Sequence, residues 1–385
     1  MDEVTQLTSQ LVKIDSSDPG AYEGEIADFI SHWLQDNAPA AMVEKQEVLP
    51  NRYNVRAVLK GETPHPALVY ICHMDTVVLG DDWQRSTPLA GEIIGQRLYG
   101  RGACDMKSGL ACAMSAFAAM AQRVAAGETL KHDFVLITSA DEEDYMRGVE
   151  KAIDAQWVNA QDLVLDGEPT NGEIRVAHKG RTWITLDVQG VTAHASTPEK
   201  GIDAIAAIAQ LITKTKAAIQ KFPAHPKLGK STITFGMIQG GYRPYVVPDK
   251  AKVWIDMRLV PPLNTAEVLD IFKTIIAQTK TDFPGLKVDM VIDGDRPPIE
   301  EDPNSPLLAA ITETVAEVTG KPAVVGVFTG YTDTAVIAGK LHNPNCMSYG
   351  PGDLELAHKP DEYVNLEDIT RCHHVMVQLA EKVLL

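Results

Sequence analysis

Short apolar runs alternating with helical periodicity predict an α/β chain: a doubly wound, mostly parallel sheet carrying the chemistry, with an α+β domain inserted into it. Three observations carry that expectation. ALVYIC at 67–72, DFVLITS at 133–139 and DLVLD at 162–166 have the length and content of buried strands. The alanine-rich stretch SGLACAMSAFAAMAQRVAA lies between the first two, so strand, helix and strand follow one another as in a parallel crossover unit. Near residue 178 the texture changes, and after the proline-rich acidic stretch RPPIEEDPNSP at 296–306 it changes back.

Taken in chain order, residues 4–14 and 22–35 place apolar side chains at helical spacing before the first strand. The middle segment reads as alternating strands, TWITLDVQG, STITFGMIQG and KAKVWIDMRLV, around two helices, IDAIAAIAQLITKTKAAIQ and TAEVLDIFKTIIAQT. LLAAITETVAEVTG and later strand-like runs resume the first texture. The expected domains are therefore 1–177 and 296–385, forming one catalytic body, and 178–295 as an insertion.

With 385 residues and 45% hydrophobic content the chain can bury two cores. Fifty-two acidic against 35 basic residues leave a formal charge of -17, which repels phosphate backbones and anionic lipid, so neither nucleic acid nor membrane is an expected partner. Five scattered cysteines without a C-x-x-C pair suit a reducing cytoplasm, and no basic, apolar leader or membrane-length apolar run is present.

The candidate chemistry gathers where strands end. His73 and Asp75 follow the first strand, and an i, i+2 pair on extended backbone projects to one side, as suits a ligand and the neighbour that holds it. Asp105 sits in the glycine-punctuated loop YGRGACDMKSG, Glu142 and Glu143 follow the second strand, and Glu168 follows the third. His358 comes after a glycine-proline turn in NCMSYGPGDLELAHKPDEYV. Ligands in doubly wound sheets collect beyond the strands' C-terminal ends. Two imidazoles and several carboxylates suit Zn²⁺, with Co²⁺ or Mn²⁺ as substitutes, and a bridging carboxylate would permit two ions. Glu142 and Glu143 side by side allow one to ligate and the other to move protons.

These motifs, in this order and over nearly the whole chain, resemble the co-catalytic zinc metallopeptidase family of acetylornithine deacetylase, succinyl-diaminopimelate desuccinylase, aminoacylase and carboxypeptidase G. The resemblance implies that CHMDTV supplies ligand His73 with Asp75 behind it, and that GRGACDMKSG supplies bridging Asp105 with a cis peptide to Met106. It implies base Glu142 and ligand Glu143 in SADEE, ligand Glu168 in DGEPT and ligand His358 in LAHKPDEYV. The inserted domain would then be a lid and dimerisation domain making a homodimer. In it, GVTAHASTPEKGIDAI would supply catalytic His194 acting in the partner's site, and DMRLVP would supply Arg258 for a substrate carboxylate. The chain departs from its relatives at Tyr245, where they usually have asparagine, and at Gly330-Tyr331-Thr332-Asp333, where they often read glycine-glycine-threonine-aspartate. Both segments resemble substrate-contacting ones, so Tyr245 and Thr332 join Arg258 as substrate-binding candidates.

Each feature also has a plainer explanation. A lone His-x-Asp or Glu-Glu is usually solvated, and Arg258 could simply pair with Asp256 on its own strand. Cys72 and Cys104 adjoin proposed ligands but face the opposite way, into packing. AHPKLGKS at 224–231 imitates a phosphate loop, yet it lacks the first glycine and runs from helix to strand, so a nucleotide role is rejected. His373-His374 falls in the last helical segment, on a partly exposed face. The expected function is a di-zinc hydrolase cleaving the amide of a small N-acyl amino acid. Its rivals are a di- or carboxypeptidase and a catalytically silent binding protein on the same scaffold.

Overall fold

The computed structural model describes residues 2–385 and divides them into two compact units. The first comprises residues up to Ala177, Glu300–Phe328 and Thr332–Leu385; the second comprises His178–Ile299 and Thr329–Tyr331.

The first unit is built on an eight-stranded sheet in the order Met42–Leu49, Arg52–Leu59, His132–Ser139, Thr63–His73, Leu163–Asp166, Cys346–Ser348, Ile174–His178, Val325–Phe328. The four strands from His132–Ser139 to Cys346–Ser348 run parallel, and the strands next to them, Arg52–Leu59 on one side and Ile174–His178 on the other, pair with them antiparallel. Side-chain alternation sorts the core onto two faces. Leu68, Tyr70 and Cys72 pack with the helices Glu3–Val12, Lys107–Ala125 and Leu366–Leu384. Val69 and Ile71 are equally buried but lie outside that cluster, on the side where the helix Asp333–Leu341 meets the Thr63–His73 strand. Helices on both faces make the sheet doubly wound. The two strands at one edge, Met42–Leu49 and Arg52–Leu59, are absent from the sequence expectation: the first is half-exposed and polar, and the second carries Arg52, Asn54 and Arg56.

The second unit is a four-stranded antiparallel sheet, ordered Thr232–Gly240, Lys250–Leu259, Gly180–Gln189, Lys287–Arg296. Ile184, Leu186 and Val188 share one face with Val253, Ile255 and Met257, covered by the helices Ala204–Ile219 and Thr265–Asp282. Asn264 and Glu267 close the second helix with a reciprocal capping box. The other face carries Trp183, Asp256 and Arg258 at partial exposure. No helix among the described residues is long and apolar enough to cross a membrane.

Candidate active site

Register explains why distant carboxylates meet. The strands ending at Ser139, His73 and Asp166 are parallel neighbours, with His73 opposite Ser139 and Ile71 opposite Asp166, so their C-terminal ends lie nearly level. Glu142 and Glu143 come three and four residues beyond the first, and Glu168 two beyond the third. Asp105 reaches the same place from the loop ahead of the helix Lys107–Ala125, across a cis peptide to Met106. His358 arrives from the turn before the strand Tyr363–Asn365, with φ at 64°.

Asp105 stands at the centre. One of its oxygens is 3.1 Å from His73 Nε2, and the other is 3.4 Å from His358 Nε2. Around His73 lie Glu168 Oε1 at 3.8 Å and Glu142 Oε2 at 4.0 Å; beside His358 lies Glu143 Oε1 at 3.1 Å. His73 Nδ1 bonds the main-chain oxygen of Asp75 at 2.9 Å, leaving Nε2 to face the carboxylates. The Asp75 carboxylate is 3.8 Å from the ring and does a different job: its two oxygens accept the amides of Glu142 and Glu143 at 3.2 and 3.0 Å. Asp75 therefore holds His73 by backbone and the Glu142-Glu143 turn by side chain.

The electrostatics describe a site short of positive charge. Burial, reinforced by the charge of Asp105, raises the Glu168 carboxyl well above its ordinary range; burial raises Glu142 likewise, with His73 opposing it. Burial also works to raise Asp105, but hydrogen bonds from His358 and His73 outweigh it and hold that carboxyl down. For His73, burial disfavours the cation, yet Asp105, Glu142 and Glu168 raise it well above the usual imidazole value. Hydrogen bonds to Asp105 and Glu143 raise His358 to about 10. The donor set fits divalent ions. His73 with Asp105 and Glu143, and His73 with Glu142 and Glu168, each bring ligand atoms within 4.8 Å of one another. Donors on one tetrahedral zinc, at about 2.0–2.1 Å each, stand about 3.3 Å apart. The 3.1, 3.4 and 3.8 Å spacings here bracket that value.

The sequence model of peptidase family M20/M25/M40 matches residues 69–382, a span holding all of these side chains. The chain belongs to that family. It is a metal-dependent hydrolase. Among M20/M25/M40 relatives, it is 26% identical to a probable succinyl-diaminopimelate desuccinylase of Staphylococcus epidermidis, over 93% of this chain and 92% of that one. It is 27% identical to an acetylornithine deacetylase of Myxococcus xanthus, over 87% and 86%. In fold it is similar to the aminopeptidase PepT of Bacillus cereus, with a TM-score of 0.79 at 21% identity over 99% and 98% of the chains. It is also similar to the YXEP protein of Bacillus subtilis, described as a dinuclear metal binding peptidase of family M20, with a TM-score of 0.73 at 20% identity over 98% and 96%.

The remaining candidates belong to the second unit or to a helix cap. His194 is exposed on a two-residue strand paired with Val246–Val247. Its Nδ1 accepts the Ser196 amide at 3.2 Å and lies 2.7 Å from the Ser196 hydroxyl, which leaves the proton of the neutral ring on Nε2. Tyr245 is 59% exposed in the turn ahead of Val246. Arg258 projects from the outer sheet face, and its Nε donates to Asp256 at 3.0 Å, the pairing its strand position allows. Thr332 is buried as the N-cap of the helix Asp333–Leu341 and shares a 2.8 Å hydrogen bond with Thr334. Its side chain thus serves the helix and not an open binding surface.

Sequence reasoning passed over a layer of buried charge behind the site. Glu362 accepts the amides of Cys104 and Asp105 at 2.9 and 3.1 Å and is gripped by Arg101 at 2.6 Å. Arg52 and Glu23 stand in a comparable relation to Asp141. Glu362 lies in LAHKPDEYV, four residues after His358, where its signal could have been found. Arg52 betrays itself only as a charge in a strand that proves to be buried.

Proposed function

We propose that the chain removes the acyl group from a small N-acyl amino acid, as a deacetylase, desuccinylase or aminoacylase does, with two zinc ions per chain and Co²⁺ or Mn²⁺ as substitutes. The observation that carries this reading is Asp105, whose two oxygens each address a different imidazole. In it, His73 and Glu168 would hold one ion, His358 and Glu143 the other, and Asp105 would be shared between them. Bound there, the ions would polarise the scissile carbonyl and lower the pKa of an attacking water. Glu142 stays free to take that water's proton and return it to the departing amine. Its burial suits it to carry a proton between the two.

The reading extends to a homodimer formed through the second unit, in which His194 of one chain donates Nε2–H to the oxygen of the tetrahedral intermediate in its partner's site. In this reading Arg258 binds the substrate carboxylate with its planar fork, and Tyr245, exposed in its turn, is a further substrate contact. A cytoplasmic location is supported by five unpaired, buried cysteines. Deacylation is preferred because the relatives at 26% and 27% identity are named for removing succinyl and acetyl groups, whereas the peptidases similar in fold stand at 21% and 20%. The test is turnover by zinc-loaded protein of N-acetyl and N-succinyl amino acids beside dipeptides and C-terminally blocked peptides. Preferential release of acetate or succinate is expected. Preference for dipeptides would make it a peptidase, and zinc binding with no cleavage of any substrate would make it a binding protein.

A further inference from the structure

The segment joining the His132–Ser139 strand to the helix Arg147–Asp154 presents Glu142 and Glu143, and its backbone is held largely by side chains from elsewhere. Ala140 donates its amide to Asn54 at 3.0 Å, Asp141 to Glu23 at 2.9 Å, and Glu142 and Glu143 to Asp75. Asp141, at φ 69°, turns the chain just before the two glutamates. Its carboxylate is fully buried and takes Arg147 Nε at 2.5 Å and Arg52 Nη1 at 3.1 Å.

Two buried carboxylates take part in this, Glu23 through the Asp141 amide and Asp141 through the Arg147 amide at 3.2 Å, and the Asp18 carboxylate lies beside them on the same guanidinium. Without a fixed cation among them the three would repel one another, and Glu23 and Asp141 would release the amides they hold. Arg52 supplies that cation. Its Nε and Nη2 clasp both oxygens of Glu23 at 2.6 and 2.5 Å, Nη2 also reaches Asp18 at 2.7 Å, Nη1 reaches Asp141, and the ring of Tyr22 covers the guanidinium at 4.5 Å. One planar fork thus joins the carboxylate that anchors the Asp141 amide to the carboxylate of Asp141 itself. A lysine cannot reproduce that bridge.

We propose that Arg52 is a positioning residue for Glu142, fixing through Glu23 and Asp141 the loop that presents the proton-transferring carboxylate. The proposal rests on the reading of Glu142 as the base. A displacement of about 1 Å at a reacting group costs about 100-fold in rate, so a loosened loop should lower kcat while substrate binding stays intact.

The experiment compares Arg52→Lys, Arg147→Gln and Glu142→Gln with the native protein. The readouts are metal content, kcat and KM on the best-cleaved N-acyl amino acid, and amide hydrogen exchange of the peptide spanning 139–148 in zinc-loaded and chelator-stripped protein. Arg52→Lys should bind two ions per chain, keep KM and lose about 100-fold in kcat, with faster exchange confined to 139–148. Arg147 is 40% exposed and clasps Asp141 from the outer side, so Arg147→Gln spares the core and should give the same pattern more weakly. A purely structural role would lower the melting temperature without the local exchange change or the separation of kcat from KM. Folded, metal-loaded Arg52→Lys with native kcat or native exchange overturns the proposal. If Arg52→Lys does not fold, Arg147→Gln decides: faster exchange with lowered kcat supports it, and native behaviour overturns it. If Glu142→Gln keeps native turnover, the base assignment fails, and the exchange readout still reports separately whether Arg52 holds the loop.

Discussion

The two units treat their candidate residues in opposite ways. In the first, His73, Asp75, Asp105, Glu142 and Glu168 are buried, and each carboxylate lies within 4.0 Å of His73 or bonds another's backbone. In the second, His194 and Tyr245 are exposed, and His194 and Arg258 bond to residues two positions away in the chain. Burial of so many carboxylates makes sense only around positive charge, so the first unit declares its chemistry through its own geometry. The second unit's candidates are exposed or half-exposed, so any role they have depends on what is brought to them. If that contrast is right, perturbing the first unit should abolish chemistry, and perturbing the second should weaken it in proportion to what each side chain contributes.

The largest effect should come from removing the ions. A chelator is expected to abolish turnover, and zinc to restore it. In the stripped protein His73 and His358 are both raised, His358 to about 10, so at neutral pH they hold protons that must leave before they can ligate. Zinc addition in weak buffer should therefore release protons, and affinity should rise with pH. Full activity in chelator, or a titration without proton release, would break the link between this cluster and metal.

Next comes Glu142→Gln, expected to retain two ions and to lose about 10²–10⁴ in kcat. Loss of an ion instead would exchange the roles of Glu142 and Glu143, since both project from the same turn held by Asp75.

The same contrast governs what the sequence could disclose. ALVYIC, DFVLITS and DLVLD were legible because parallel strands buried on both faces are continuous apolar runs. The strands Met42–Leu49 and Arg52–Leu59 were not, because an outer antiparallel pair alternates polar and apolar residues that also suit loops. The ligand candidates stood out as unusual residues at strand ends. Glu23, Arg52, Asp141 and Glu362 did not: a glutamate or arginine alone says nothing about which amide or guanidinium lies opposite it, and apart from Arg147, six residues from Asp141, those partners are 29 to 261 residues distant. Asp75 shows the limit most clearly. Its spacing from His73 was informative, but that its carboxylate would hold the Glu142-Glu143 turn depended on long-range pairing.

A smaller effect is expected from His194→Ala, because it removes one donor to the developing oxyanion and leaves ions and base in place. The loss should be about 10²–10³ in kcat. Mixing the impaired His194→Ala with the impaired Glu142→Gln should raise turnover in mixed dimers well above either parent if the histidine serves the partner's site. Tagged mixed dimers no more active than the parents would return His194 to its own chain or to no catalytic part.

The smallest and most selective effect should follow Arg258→Lys. The guanidinium donates Nε to Asp256 at 3.0 Å, and Asp256 is held in turn by the Trp183 indole at 2.8 Å. This chain of contacts aims the fork and leaves both terminal nitrogens available to a carboxylate. Lysine keeps the charge but loses the paired donors, so KM for substrates with a free carboxylate should rise about tenfold, about 1.4 kcal/mol and close to the low end of what one hydrogen bond to a charged group contributes, while kcat changes little. Substrates whose carboxylate is amidated should be cleaved poorly by the native enzyme and no worse by the variant. Asp256→Asn offers a finer test: if Asp256 only orients the fork, its loss should raise KM for free-carboxylate substrates by less than Arg258→Lys does. Equal cleavage of free and amidated substrates by the native protein would reduce Arg258 to the partner of Asp256 and nothing more.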